Sequence, residues 1–132
     1  MNYLLDTNAC IAYLNRPDSS VRNHMQLLKP SEIVLCTVVE AELYYGVMKS
    51  ASPVKNLERL LPFVRQFISL PFDKAAAKEY GRIRAELSSA GTPIEPYDLQ
   101  IAAIAVTHGI TVVTHNTREF SRVQGLKLVD WE

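Results

Sequence analysis

Cysteine is scarce in this chain of 132 residues: there are two, Cys10 and Cys36, with neither CxxC spacing nor a neighbouring histidine pair. That excludes the usual zinc frameworks and a disulfide scaffold. Both sit in apolar runs, where they read as small buried hydrophobes in a reducing compartment. Histidine is equally thin, with His24, His108 and His115 scattered along the chain. An excess of charge is also missing: 14 basic residues balance 14 acidic ones for a net charge of +0. No whole-molecule field therefore draws in a nucleic acid or an anionic surface. Two local groups remain, Lys55, Arg59 and Arg65, and Lys78, Arg82 and Arg84, either of which is a basic face or a solvated helix surface. No apolar stretch approaches the roughly 18 residues of a membrane span. The start, Met1-Asn2-Tyr3-Leu4-Leu5-Asp6, lacks a basic n-region and meets an acid at once, so no signal peptide is expected and the expected address is cytoplasmic. With no repeat, linker or low-complexity segment, residues 1–132 are expected to form a single domain.

What is present is an alternation of short β-branched apolar runs with helical patterns, the signature of βαβ units and a parallel sheet. Strands are predicted at Tyr3–Leu5, Ile33–Cys36, Ile68–Leu70, Thr111–Val113 and, more weakly, Lys127–Val129. Helices are predicted over Thr7–Leu14, Ser19–Leu28, Val38–Lys49, Val54–Gln66, Lys74–Ala90 and Pro96–His108, with a short turn after Thr117. Pro53 and Pro96 suit first helical turns, whereas Gly91 and Gly109 suit C-caps. The helix from Pro96 carries Ile101-Ala102-Ala103-Ile104-Ala105-Val106, apolar on nearly every side, and is expected to be central.

Four acid-bearing segments stand beside these runs: Leu4-Leu5-Asp6-Thr7-Asn8, Glu40-Ala41-Glu42-Leu43, Pro96-Tyr97-Asp98-Leu99 and His115-Asn116-Thr117-Arg118-Glu119. Ligands of open parallel sheets bind beyond the carboxyl ends of the strands, where strand order reverses. Asp6 and Asn116 fall just beyond such ends, and Asp98 and an acid early in the Val38 helix can reach the same edge. Carboxylates gathered there repel one another and are costly to desolvate unless a cation neutralises them. Hard oxygen ligands select Mg²⁺, with Mn²⁺ able to substitute, over zinc.

Each residue also has a structural role open to it. Asp6 can cap the helix after it, Asp98 can serve the helix dipole, and Asn116 with Glu119 spells a capping box. Glu40 and Glu42 flank the Val39, Leu43 and Val47 stripe on opposite sides, and periodicity does not choose between them. Glu79, Glu86 and Glu95 read as exposed helix or loop charges, and His115 as a bystander beside the site. Tyr44, Tyr45 and Tyr97 are suited to stacking on bases or to packing.

At these residues the chain resembles the PIN-domain ribonucleases, and among them the toxins of VapBC type II toxin-antitoxin systems. Leu4-Leu5-Asp6-Thr7-Asn8, Glu42-Leu43 with Tyr45-Gly46, Tyr80-Gly81-Arg82-Ile83-Arg84-Ala85, Pro96-Tyr97-Asp98 with Ile101-Ala102-Ala103, and Val113-Thr114-His115-Asn116-Thr117-Arg118-Glu119-Phe120 carry it, followed by a tail from Gly125 to Trp131. The resemblance implies an α/β/α sandwich on a central parallel sheet of four to five strands. It also implies Mg²⁺-dependent endoribonuclease activity on tRNA or another structured RNA, arrest of translation, homodimers, and neutralisation by a VapB-like antitoxin. That antitoxin lays a peptide along a groove, for which Tyr44, Tyr45, Leu60, Leu61 and Phe63 are candidates.

Carried onto this chain, the family's acids fall on Asp6, Glu42 and Asp98, which favours Glu42 over Glu40. Asn116 stands where many PIN domains place Asp, so a fourth carboxylate is absent or supplied by Glu119. Asp6 and Asp98 are then metal ligands, Glu42 acts directly or through water, Asn116 completes the catalytic set, and Thr7, Thr114 and Arg118 position substrate. Two other classes compete with a nuclease. A signal receiver needs paired acids after the first strand, where Asp6 stands alone; a PIN-like binding module needs no intact acid set.

Overall fold

The computed structural model describes all 132 residues. Five short strands, β1 (Tyr3–Leu5), β2 (Ile33–Cys36), β3 (Ile68–Leu70), β4 (Thr111–Val113) and β5 (Lys127–Val129), form one sheet in the order β3-β2-β1-β4-β5. Every pairing is parallel, with Tyr3 opposite both Ile33 and Thr111. Parallel strands need covering on both faces, and all four residues of β2 are buried accordingly. The flanking helices are α1 (Thr7–Asn15), α2 (Ser20–Gln26), α3 (Thr37–Met48), α4 (Pro53–Val64), α5 (Lys74–Ser89), α6 (Pro96–His108) and the single turn α7 (Thr117–Phe120). This is the α/β/α sandwich expected from the sequence. Its strand order is not the 2-1-3-4-5 of receiver domains, which removes that alternative.

The chain runs outward from β1 through β2 to β3, then crosses to β4 on the other side of β1. The order therefore reverses between β1 and β4, and the loops after Leu5 and Val113 leave side by side, tied by the Asp6 amide donating to the Val113 carbonyl at 3.1 Å. Behind them, α6 is buried all round from Ile101 to Ala105 and packs chiefly on α5, so its first turn is held against the same edge. Gly109 takes the left-handed conformation at φ 65° and ends α6 as expected, with β4 starting two residues later.

Two local expectations shift. Ser19 lies outside α2 as its N-cap, its side chain accepting from the Arg22 amide at 3.2 Å, and the helix stops at Gln26 instead of Leu28. A 3-10 turn, Pro30–Glu32, fills the gap before β2; three residues carry no periodicity to read. Cys10 and Cys36 are free and buried, as expected; burial pushes the Cys36 thiol up to about 11, and that of Cys10 well above its usual value.

Candidate functional site

Asp6 caps α1, its Oδ1 accepting from the Ala9 amide at 2.8 Å, so the structural role open to it is real. It is also 4% exposed, and burial raises its pKa despite hydrogen bonds from Thr114 and Ala9. Thr114 is buried at the end of β4 and also accepts the Asn116 amide at 2.9 Å, joining the β1 and β4 loops. Thr7, next along α1, donates its hydroxyl to Glu42 Oε1 at 2.6 Å. That bond fixes Glu42 toward the pocket, whereas Glu40 makes no side-chain hydrogen bond.

Asp98 sits half-buried in the first turn of α6. Its carboxyl is pushed up to about 7, first by burial and then by the charges of Glu95, Asp6, Glu119 and Glu42. Residues from α1, α3, α6 and α7 thus act on one carboxyl, which places the separated acids of the sequence at one edge of the sheet. The Asn116 amide lies among them, Nδ2 donating to Glu119 Oε2 at 3.1 Å and, more loosely, to Asp98 Oδ2 at 3.4 Å. The capping box expected of Asn116 and Glu119 does not form: no side chain caps α7, because the amide is turned to carboxylates instead.

The sequence profile of the family described as PIN domain matches residues 3–126. The chain belongs to the PIN-domain family, in its VapC group. It is 41% identical over 131 residues to a protein of Shigella flexneri named tRNA(fMet)-specific endonuclease VapC, covering 99% of this chain and 98% of that one. Among solved structures it resembles the DNA-bound VapBC of Salmonella typhimurium at TM-score 0.94 and 38% identity, covering 100% of this chain and 99% of that one. VapBC2 of Rickettsia felis, bound to a DNA fragment from its promoter, matches at TM-score 0.93 and 35% identity over the whole of both chains.

Glu95 is the acid of this PIN domain that sequence reasoning passed over as an exposed charge. It is exposed, yet it is the N-cap of α6, with Oε2 accepting from the amides of both Tyr97 and Asp98 at 3.1 Å. The signal was present: a polar residue directly before Pro96 at the first helical position marks an N-cap. Glu132 was missed too, and its charge adds to the upward pressure on Asp6. Arg118 is exposed on α7 without an ion-pair partner, and Tyr97 is 53% exposed beside Asp98. His115 points away, its Nδ1 3.0 Å from Asp130 Oδ2 on an exposed rim.

From Glu42 the PIN domain opens into a groove of about 300 Å³ between α1, α3 and α4, lined by Ile11, Leu14, Gly46, Val47, Arg59 and Leu60 among others. Of the five residues expected along such a groove, only Leu60 is there. Phe63 is instead buried between Tyr13 and Phe67, while Tyr45 is 65% exposed elsewhere on α3. Of the basic candidates, Arg59 spans the groove to donate to the Leu14 carbonyl at 2.6 Å. Arg82 is occupied by Glu79 at 2.8 Å and Glu86 at 3.0 Å.

Proposed function

We propose that this PIN domain is the endoribonuclease toxin of a VapBC-type pair, cutting tRNA with Mg²⁺ held in the acid pocket. The observation that carries the reading is Asp98. A carboxyl pushed to about 7, first by burial and then by four other acids, at the switch point of a parallel sheet, marks a site suited to a cation. The donor set is oxygen throughout, which suits a hard cation. No three carboxylates of the pocket bring ligand atoms within 4.8 Å of one another, and Mg²⁺, which keeps several of its waters, does not require that they do.

Asp6 and Asp98 would hold the ion, with Glu42 reaching it through water and Glu119 beside it. When bound, Mg²⁺ supplies neutralising charge, a more acidic water and stabilisation of charge growing on the phosphate. Glu42 uses Oε1 to accept from Thr7 and keeps Oε2 to take a proton from the attacking water. Thr114 steadies Asp6, and Asn116 holds the Asp98 and Glu119 carboxylates in place of a further acid. Arg118, free of acidic partners, is left to meet a backbone phosphate.

The substrate class is supported by the Shigella relative, whose name specifies tRNA(fMet). The partner class is supported by the VapBC complexes among the structural relatives and by the groove that ends at Glu42. There an antitoxin segment can bury apolar side chains and offer a cation to the acids. A cytoplasmic address fits two free buried cysteines, and no helix is long and apolar enough to cross a membrane. Incubating the purified protein with total RNA and sequencing the new ends should give discrete cuts in tRNA that vanish with EDTA. Intact RNA in Mg²⁺, or cutting indifferent to EDTA, would overturn the proposal.

A further inference from the structure

Capping alone does not account for Glu95. Shorter acceptors, Asn, Asp and Ser, cap helices better than Glu does. What the longer acid adds is a negative charge at the mouth of the pocket, beside the residue whose backbone it holds. One oxygen, Oε2, takes both the Tyr97 and Asp98 amides at 3.1 Å, and Pro96, between Glu95 and Tyr97, fixes the turn, so the Glu95 carboxylate is anchored next to Asp98. Its exposure leaves the charge partly screened, which makes its influence graded.

We propose that Glu95 is a positioning residue of the acid pocket: by holding the backbone at Asp98 and fixing a negative charge beside it, Glu95 sets how tightly the pocket takes a divalent cation. This rests on the assignment of the pocket as a Mg²⁺ site. A cap without charge would serve the helix at least as well and leave the cation more weakly held.

Mn²⁺ titration of the full chain followed by electron paramagnetic resonance, without RNA, tests this alongside thermal unfolding. Glu95→Gln and Glu95→Ser keep an acceptor for the α6 amides and should unfold near the wild-type midpoint. They should nevertheless bind Mn²⁺ about three- to tenfold more weakly, the size expected for one unit charge acting on a divalent ion across a partly solvated gap. Glu95→Ala, which loses both cap and charge, should fall in midpoint and affinity together. Wild-type Mn²⁺ affinity in Glu95→Gln would overturn the proposal and reduce the residue to a cap. Asp98→Asn separates the two levels: it should lose most Mn²⁺ binding. If it bound Mn²⁺ as the wild type does, the cation site itself would be misplaced, and the role of Glu95 would fall with it.

Discussion

At Asp98 two opposing fields meet. The N-terminus of α6 favours a carboxylate, whereas burial and four neighbouring acids disfavour it, and the second set wins by enough to reach about 7. The folded state therefore binds more protons than the unfolded chain between 3.8 and about 7. Stability from this group is complete below the lower value and lost as pH rises through the upper one. Asp98→Asn cannot ionise, so in EDTA its thermal midpoint relative to wild type should climb across that window, and saturating Mg²⁺ should close the gap. A pH-independent difference would contradict the crowding.

Glu42 offers a second test, because the sequence left it level with Glu40. Only Glu42 is fixed by Thr7 and felt at Asp98. Glu42→Gln should slow cleavage about a hundredfold or more, while Glu40→Gln stays within a few-fold of wild type, both read from initial rates on one tRNA. The positions of Asp6, Asp98 and Asn116 at strand ends and in a first turn were legible because those features are written locally. The contact of the Asn116 amide with Asp98 was not, since Asp98 comes from another helix and sequence spacing shows only the nearer Glu119.

Elements were the most readable layer. All five strands lie where β-branched runs bounded by turn residues placed them, and the long helices differ by a residue or two at their ends. What could not be read was short: the 3-10 turn at Pro30–Glu32 and the early end of α2, neither long enough to show a period. Gly109 illustrates a local rule with a distant consequence, for it turns α6 directly into the strand that delivers Thr114 and Asn116. A Cβ there would meet nothing within 4 Å, so Gly109→Ala is opposed only by φ 65°. It should cost about 1 kcal/mol in denaturant unfolding. Cleavage by the folded fraction should persist; a loss with no change in stability would mean that Gly109 serves the site in another way.

On the scale of the whole molecule, a neutral chain separates its charges, placing acids around the β1 and β4 switch point and leaving Arg118 free nearby. The groove from Glu42 follows from three helices packed beside that edge, and its lining from α1, α3 and α4 could not be assigned before the packing was known. Gly46 lines it with open space at its Cβ position. Gly46→Leu should therefore fold, fill the groove and weaken a cognate antitoxin about tenfold or more by calorimetry, with RNA cleavage retained. Unchanged antitoxin affinity would place that partner on another surface.

The claim on which the rest depends is that the acids at the switch point act as one catalytic site. Its most direct measurement is the rate of tRNA cleavage in Mg²⁺ by purified wild type, Asp6→Asn and Asp98→Asn, with circular dichroism and thermal unfolding on the same samples. Asn can still accept the Ala9 amide at position 6, so both variants are expected to stay folded. Each should show cleavage reduced to background with an unchanged spectrum; a folded variant cutting tRNA at the wild-type rate would contradict the assignment.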